Sequence, residues 1–335
     1  MSATIFFLPL PGDFPLRLVA LLIALCLDAM LGEMPWLFGR IPHPVVAIGR
    51  AIAFFDRRLN RIERGAAERR RRGILTLTFL ALASLAIGTL LSFVFGQFGG
   101  WGLLAEGFIA ATLIAQRSLY DHVARVAAAL ETGGLAAGRV AVGHIVGRAP
   151  DSLDRHGVAR AAIESLAENF SDGIVAPVFF YLVAGLPGLL LYKTVNTLDS
   201  MIGHLTPRHQ AFGWASARFD DLLNLIPARL SGLLIVLAAT CLKRDGAGAL
   251  RIMWRDARRH RSPNAGWPEA AMAGALALAL AGPRRYGSEL VEDHWMGDGR
   301  ARAEAADIRA ALAVYRAACL IEAGGVALVL LGLTL

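Results

Sequence analysis

Between Arg160 and Arg229 the chain packs Glu164, Glu168, Asn169, Asp172, Lys193, Asn196, Asp199, Asp220, Asp221 and Asn224, residue types able to do chemistry. They stand among strongly apolar stretches, which makes them a polar site in or beside a membrane. The chain carries two lysines against thirty-two arginines, and Lys193 is one of the two. Three of its five asparagines lie in this segment, and Asn264 follows in a Ser-Pro-Asn setting. A chain built largely of Ala, Leu, Gly and Arg fills neutral positions with those residues, so the exceptions point to chemistry.

Each group has its own chemistry. Glu164 and Glu168 are four apart on a helix expected to begin near Asp154 and end near Asn169 to Gly173. Like charges at that spacing repel, and a divalent cation, or Arg160 one turn earlier, relieves the strain. With Asp172 they would hold magnesium through one or two carboxylates, water and phosphate oxygens filling the rest. A solvated acidic face balanced by Arg155 and Arg160 is the alternative. Lys193, Asn196 and Asp199 recur at intervals of three, which sets an ammonium, an amide and a carboxylate along one helix face. The lysine serves as a point charge on a phosphate or acyl oxygen, or else snorkels to lipid headgroups. Arg218, Asp220, Asp221 and Asn224 open the next apolar segment, with Arg229 inside it. Ionisable groups there are functional candidates by default, and an internal pair between Arg229 and an aspartate is the structural alternative. The turn His260 to Glu269 offers Ser262 or Asn264 as a helix cap or as part of an anion site. His43, in Ile-Pro-His-Pro-Val, and Asp28 are lone polar features that local bonding also explains. His204 and His209, five apart with no third ligand, are weak evidence for zinc.

The elements that position these groups are helices in a bilayer. Hydrophobic residues make up 56% of the chain and mean hydropathy is +0.51. From Gly73 to Ala105 there is no ionisable side chain, and about 20 apolar residues suffice to span. No cleavage site follows Phe14 to Leu27, so that stretch reads as a retained first span. The expected fold class is all-α: a polytopic integral membrane protein with discontinuous or re-entrant helices, in a single embedded domain over residues 1–335. Candidate membrane elements are 14–31, 73–96, 101–116, 174–192, 222–242, 270–281 and 313–335. The stretch 270–281 is too short to cross and reads as a buried helix. The net charge of +7 fits membrane topology better than nucleic acid, because no aromatic-interleaved basic motif accompanies it. Arginines 57, 58, 61, 64 and 69 to 72 precede the long uncharged span and mark their loop as cytoplasmic. The polar segments near 32–72, 117–172 and 243–312 follow it to that side. Cys26, Cys241 and Cys319 have no metal-type spacing and read as buried hydrophobes.

Single crossings at 174–192 and 222–242 would put the two ends of the polar constellation on opposite faces. Pro177, Gly185, Pro187 and Gly188 interrupt the first segment and Pro227 with Arg229 the second. Interrupted segments line cavities or re-enter, so re-entrant elements are the preferred reading, with His204 to Gln210 on the basic side. Phosphate loops, nucleophile elbows, dinucleotide fingerprints and paired-cysteine metal motifs are absent from the sequence.

Several long blocks resemble one family. They are Leu-Asp-Ala-Met-Leu-Gly-Glu from Leu27, Pro-His-Pro-Val from Pro42 and Ile-Glu-Ser-Leu-Ala-Glu-Asn-Phe-Ser-Asp-Gly from Ile163. They continue with Tyr-Lys-Thr-Val-Asn-Thr-Leu-Asp-Ser-Met-Ile-Gly from Tyr192, Phe-Gly-Trp-Ala-Ser-Ala-Arg-Phe-Asp-Asp-Leu-Leu-Asn from Phe212, and His-Arg-Ser-Pro-Asn-Ala-Gly-Trp-Pro-Glu from His260. In order and over residues 27 to about 290, the chain resembles the membrane-bound adenosylcobinamide-phosphate synthases of cobalamin biosynthesis. The resemblance implies an ATP-dependent ligation joining aminopropanol, or its phosphate, to a propionate carboxyl of adenosylcobyric acid. On that footing Glu164, Glu168, Asp172 and Asp199 are expected ligands of magnesium with ATP. Lys193 and Arg218 stabilise developing charge, and Asp220 or Asp221 is the general base. Asn196, Asn224, Asn264, Ser262 and His43 are expected to bind substrate, and cobalt enters only within the corrinoid. The resemblance further implies a bacterial inner-membrane location with the site facing the cytoplasm, the lipid bilayer and other membrane enzymes of the pathway as partners, and no nucleic acid. A membrane transporter or sensor using the same buried ionisable residues is the competing class.

Overall fold

A computed structural model describes residues 14–146, 150–286, 289–291 and 293–335. In chain order the helices are α1 (Phe14–Leu31), α2 (Pro35–Phe38), α3 (Pro44–Leu59), α4 (Ala66–Gly96), α5 (Gly99–Ala111), α6 (Gln116–Thr132), α7 (Gly134–Gly143), α8 (Arg155–Phe170), α9 (Ala176–Ile202), α10 (Trp214–Leu223), α11 (Leu225–Cys241), α12 (Gly246–Asp256), α13 (Gly266–Leu276) and α14 (Ala305–Thr334). A π-helical turn, Ser171–Val175, lies between α8 and α9. Among the described residues strands are confined to two antiparallel ribbons, β1 (Leu280–Ala281) with β4 (Trp295–Met296) and β2 (Arg284–Tyr286) with β3 (Glu289–Val291). The protein is therefore an all-α polytopic membrane protein. Among the described residues four helical runs are long and apolar enough to cross a membrane, or five if the interrupted pair α10 and α11 counts as one. The chain divides into two compact units. Unit 1 comprises Met1–Ala115, Ala176–Leu223 and Gly325–Leu335, and unit 2 comprises Gln116–Val175 and Asn224–Gly324.

In unit 1 the long helix α4 shows how an apolar sequence chooses a packing face. Its buried residues are Arg69, Gly73, Thr76, Leu80, Ser84 and Gly88, one stripe at helical spacing and mostly small. Small residues let helix backbones approach where lipid on the other faces removes any hydrophobic drive between helices. A Cβ at Gly88 would lie 2.5 Å from the Cα of Pro187 in α9, and one at Gly73 would lie 1.8 Å from the carbonyl oxygen of Phe212. At one end a cluster of Ile52, Leu80, Leu198, Ile202 and Phe212 closes the packing.

Helix α9 does not cross straight. Gly185 breaks it at φ 63°, ψ −153°, a region open essentially to glycine alone. The rings of Phe180 and Tyr192 then stack with centroids 5.1 Å apart, whereas an unbroken helix would separate them by about 18 Å along its axis. The two halves of α9 thus fold back on each other as a helical hairpin. Beside the break, Tyr181 donates to Glu106 Oε1 at 2.7 Å, Ser92 contacts Glu106 Oε2 at 3.4 Å, and the Arg17 guanidinium lies against Gly185.

Unit 2 rests on α8 and α13. Asp154 caps α8 by accepting from the Gly157 amide at 2.6 Å, and α8 is buried almost continuously from Gly157 to Ala167. The short segment expected near 270–281 is α13, buried over ten of its residues and ending in β1 rather than continuing as helix. Gly274 and Gly232 seat it against α12 and α11: a Cβ at Gly274 would meet Ala249 Cα at 2.6 Å, and one at Gly232 would meet the Trp267 carbonyl oxygen at 3.2 Å. Cysteine placement departs from expectation, since Cys319 is buried but Cys26 and Cys241 are exposed. Both occupy apolar helices, where the outward face is hydrophobic because lipid covers it.

Candidate functional site

The polar residues chosen from sequence sort by unit. Unit 1 holds His43, Lys193, Asn196, Asp199, Arg218, Asp220 and Asp221, and unit 2 holds Glu164, Glu168, Asp172, Asn224, Ser262 and Asn264.

In unit 1 the second half of α9 extends through Ile202, ten residues past the expected 192, so Lys193, Asn196 and Asp199 stand on a helix and share a face. Helix α10 supplies the opposing groups. Asn196 Nδ2 donates to Asp220 Oδ1 at 3.4 Å, and Asp220 is 8% exposed. Asp221 lies 3.6 Å from the Arg218 guanidinium and, with His204, within the electrostatic field of Asp199. Arg218 itself projects outward, its side chain 69% exposed. His43 has a local duty, because its Nδ1 accepts from the Val45 amide at 3.2 Å and caps α3, and its ring packs edge-on against Phe38. It is also close to Lys193: burial first, and the lysine charge second, hold its imidazole below the ordinary value, against weaker opposition from the Thr112 backbone and Glu33. Unit 1 thus gathers an ammonium, an amide, three carboxylates and a neutral imidazole.

In unit 2 the acidic group is less uniform than its spacing suggests. Glu164 is buried and its Oε1 accepts from the Ala281 amide at 2.8 Å. Arg160, expected to offset it, bonds instead to the Ala301 carbonyl and covers the Trp295 ring. Glu168 is exposed, and Asp172 is half-buried on the π turn. Among the described residues no group of three or more His, Cys, Asp or Glu is placed to hold a metal ion by protein ligands alone. Ser262 works as a cap, its Oγ accepting from the amides of Asn264 and Ala265 at 3.2 Å each, so its hydroxyl is committed to the turn entering α13. Asn264 and Asn224 are buried. Arg229 is not paired with an aspartate in the way its position suggested. It donates to the Leu225 carbonyl at 2.5 Å and lies 4.4 Å from the Trp267 ring centroid. A cavity of about 400 Å³ between α6 and α7, lined by His122, Arg125, His144 and three small apolar residues, takes in none of the residues chosen from sequence.

Sequence reasoning passed over Asp56, Asn60 and Arg69, which grip the loop between α9 and α10. Asn60 carried a usable signal, being the remaining member of the five asparagines. Burial alone would push the Asp56 carboxyl up, but hydrogen bonds from Asn60 and Arg208 and the charges of Arg208 and His209 outweigh it and hold it below the usual range.

A model of the CobD/Cbib protein family matches residues 21–315, which takes in every residue named for the site. A Sinorhizobium protein named cobalamin biosynthesis protein CobD is 54% identical over 312 residues, 92% of this chain and 96% of its own. Proteins of the same name from Rhizobium meliloti (54% identical, 90% of this chain and 93% of theirs) and Brucella melitensis (52%, with the same coverage) agree. No solved structure matches. Since both polar groups and the helices that carry them fall inside the matched region, the chain belongs to the CobD/Cbib protein family of cobalamin biosynthesis.

Proposed function

We infer that the protein is an ATP-dependent amide ligase that joins aminopropanol or its phosphate to a propionate carboxyl of adenosylcobyric acid. The observation that carries this reading is the convergence of Lys193, Asn196 and Asp199 on α9 with Asp220 and Asp221 on α10. Amide formation from an unactivated carboxylate needs three things from a protein: charge stabilisation at the carboxyl, a base for the amine, and a place for magnesium with ATP. Transfer of the γ-phosphoryl group gives an acyl phosphate and ADP. Attack by the neutral amine then forms the C–N bond and expels phosphate. Lys193 is the point charge for the oxygen that becomes negative in both steps, with Arg218 the more exposed second cation. A protonated amine is no nucleophile, so a carboxylate must take its proton, and Asp220 or Asp221 supplies it.

Bound magnesium would neutralise phosphate charge, and it needs only one or two protein carboxylates beside water and phosphate oxygens. Asp199 fits that demand in unit 1, and Glu168 and Asp172 fit it in unit 2. Glu164 fits it less well, because its buried carboxylate already binds the Ala281 amide. Asn196, Asn224 and Asn264 remain the proposed substrate-binding amides, and corrinoid cobalt arrives with the substrate. For location we propose a bacterial inner membrane with the unit 1 site on the cytoplasmic side. The loop beside the site bonds to the arginine-rich segment, and such segments stay in the cytoplasm.

Purified protein given adenosylcobyric acid, aminopropanol phosphate and magnesium-ATP should form the amide with consumption of nucleotide. Lys193→Ala and Glu168→Gln should each lower turnover at least about 100-fold, the scale of one lost transition-state contact, while the protein stays folded. Near-normal rates in both would remove these residues from the mechanism. Absence of product from the unaltered chain, with ATP-independent movement of ligand in liposomes, would favour a transporter.

A further inference from the structure

Asn60 ends α3 and is 4% exposed. Its Nδ2 donates to Asp56 Oδ1 at 2.7 Å and to the Arg208 carbonyl at 3.0 Å, and its Oδ1 accepts from Arg69 Nε at 2.8 Å. Arg69, 7% exposed, donates Nη2 to the Pro207 carbonyl at 3.2 Å and to the Arg208 carbonyl. Arg208 closes the ring, its Nη2 reaching Asp56 Oδ2 at 2.6 Å, with His209 Nε2 3.5 Å from the other carboxylate oxygen. The residues held, 207–209, lie in the only stretch of chain that joins the end of α9 to the start of α10. Two glycines fix the end of that stretch: a Cβ at Gly213 would lie 1.7 Å from the Ile202 carbonyl oxygen, and Gly73 faces Phe212 as closely.

Stability alone is a poor reason for this ring. A buried guanidinium is costly to desolvate, and apolar side chains of similar volume commonly hold a protein together as well. The oxygens to which Arg69 donates, on Asn60, Pro207 and Arg208, are all neutral. What such a ring supplies is a single geometry, since its bonds share donors and acceptors and one cannot move without the others.

We propose that Asp56, Asn60 and Arg69 are positioning residues: by clasping the loop between α9 and α10 they hold Asp220 and Asp221 against the Lys193, Asn196 and Asp199 face. The catalytic part of this proposal rests on the ligase reading, and the geometric part does not.

The test uses the full chain in detergent. Spin labels at Ser200→Cys and Leu222→Cys, with Cys26, Cys241 and Cys319 replaced, report the spacing of α9 and α10. Asn60→Ala and Asn60→Asp, which both lose the donors to Asp56 and Arg208, should broaden the distance distribution. They should lower kcat at least tenfold with KM for the corrinoid changed less than threefold. Arg208→Ala should do the same to a smaller degree, and Arg208→Lys, which keeps the ion pair, should restore the rate. A narrow, unshifted distribution in Asn60→Ala and Arg208→Ala overturns the clasp. A broadened distribution with normal kcat overturns its service to catalysis. If the unaltered chain makes no amide, the ligase reading fails, and the distance distribution alone then upholds or overturns the clasp.

Discussion

Lys193 shows what a residue's type leaves open until its neighbours are known. A lysine at the edge of an apolar run snorkels or does chemistry, and spacing fits both. The structure gives it an imidazole neighbour, His43, whose titration carries a consequence for stability. Burial, then the lysine charge, depress the His43 pKa from its ordinary 6.5. An unfolded chain takes up this proton near 6.5, while the folded one resists it. The corresponding stability is whole above 6.5 and is lost as pH falls through the folded value. The apparent Tm in detergent should therefore drop as pH is lowered below 6.5, and His43→Gln should remove that part of the slope. An identical slope in the variant would show that His43 is not the group responsible. Protonation also removes the Nδ1 lone pair that accepts from Val45, so the cap and the charge act in the same direction.

At the scale of the element, the break in α9 decides what the segment can do. Pro177, Gly185, Pro187 and Gly188 marked an interruption, and Gly185 turned out to be where the chain reverses, at a φ of 63° and ψ of −153°. The prolines could not identify the position, because proline is tolerated in membrane helices when neighbours satisfy the freed carbonyls. Gly185→Ala should destabilise by about 1–3 kcal/mol, the cost of a strained backbone at one residue. Gly324→Ala in α14, where an added Cβ meets nothing within 4 Å, should be neutral or slightly stabilising. Thermal unfolding of the two variants side by side is the measurement. Equal midpoints would mean that the hairpin is not held by Gly185. The same logic explains why the start of α8 was readable in advance: its cap at Asp154 is a local signal and was found where expected, whereas its far end, expected near Asn169 to Gly173, passes through a π turn directly into α9. The fate of Glu164 was not readable, because its partner is an amide 117 residues away.

For the molecule as a whole, sidedness is the property that composition states most clearly. Arginines 57 to 72 sit at one end of α4 and the glycine-rich turn at Gln97 to Gly99 at the other. In unit 1 the loop 203–213 is bonded to Asp56, Asn60 and Arg69, so it must share the arginine-rich side. In a cysteine-free background, Ile62→Cys and Thr206→Cys should be shielded from a membrane-impermeant maleimide in intact spheroplasts and react on lysis. Phe98→Cys should react before lysis. Labelling of Thr206→Cys with Ile62→Cys still shielded would contradict the bonding of the loop.

By itself the sequence determined the membrane class, the long apolar helical segments and the family, because these depend on composition, period and ordered motifs that act over a turn or two of chain. Tertiary structure decided which polar groups are available. It spent Ser262 on a turn and Glu164 on a strand amide, set Asn196 beside Asp220, and brought Asn60 and Arg69 to a loop more than 130 residues away. Hydrogen bonds of that span are fixed by how helices pack, and packing in a bilayer depends on close backbone approach at a few glycines, such as Gly73 and Gly88, which no local pattern announces.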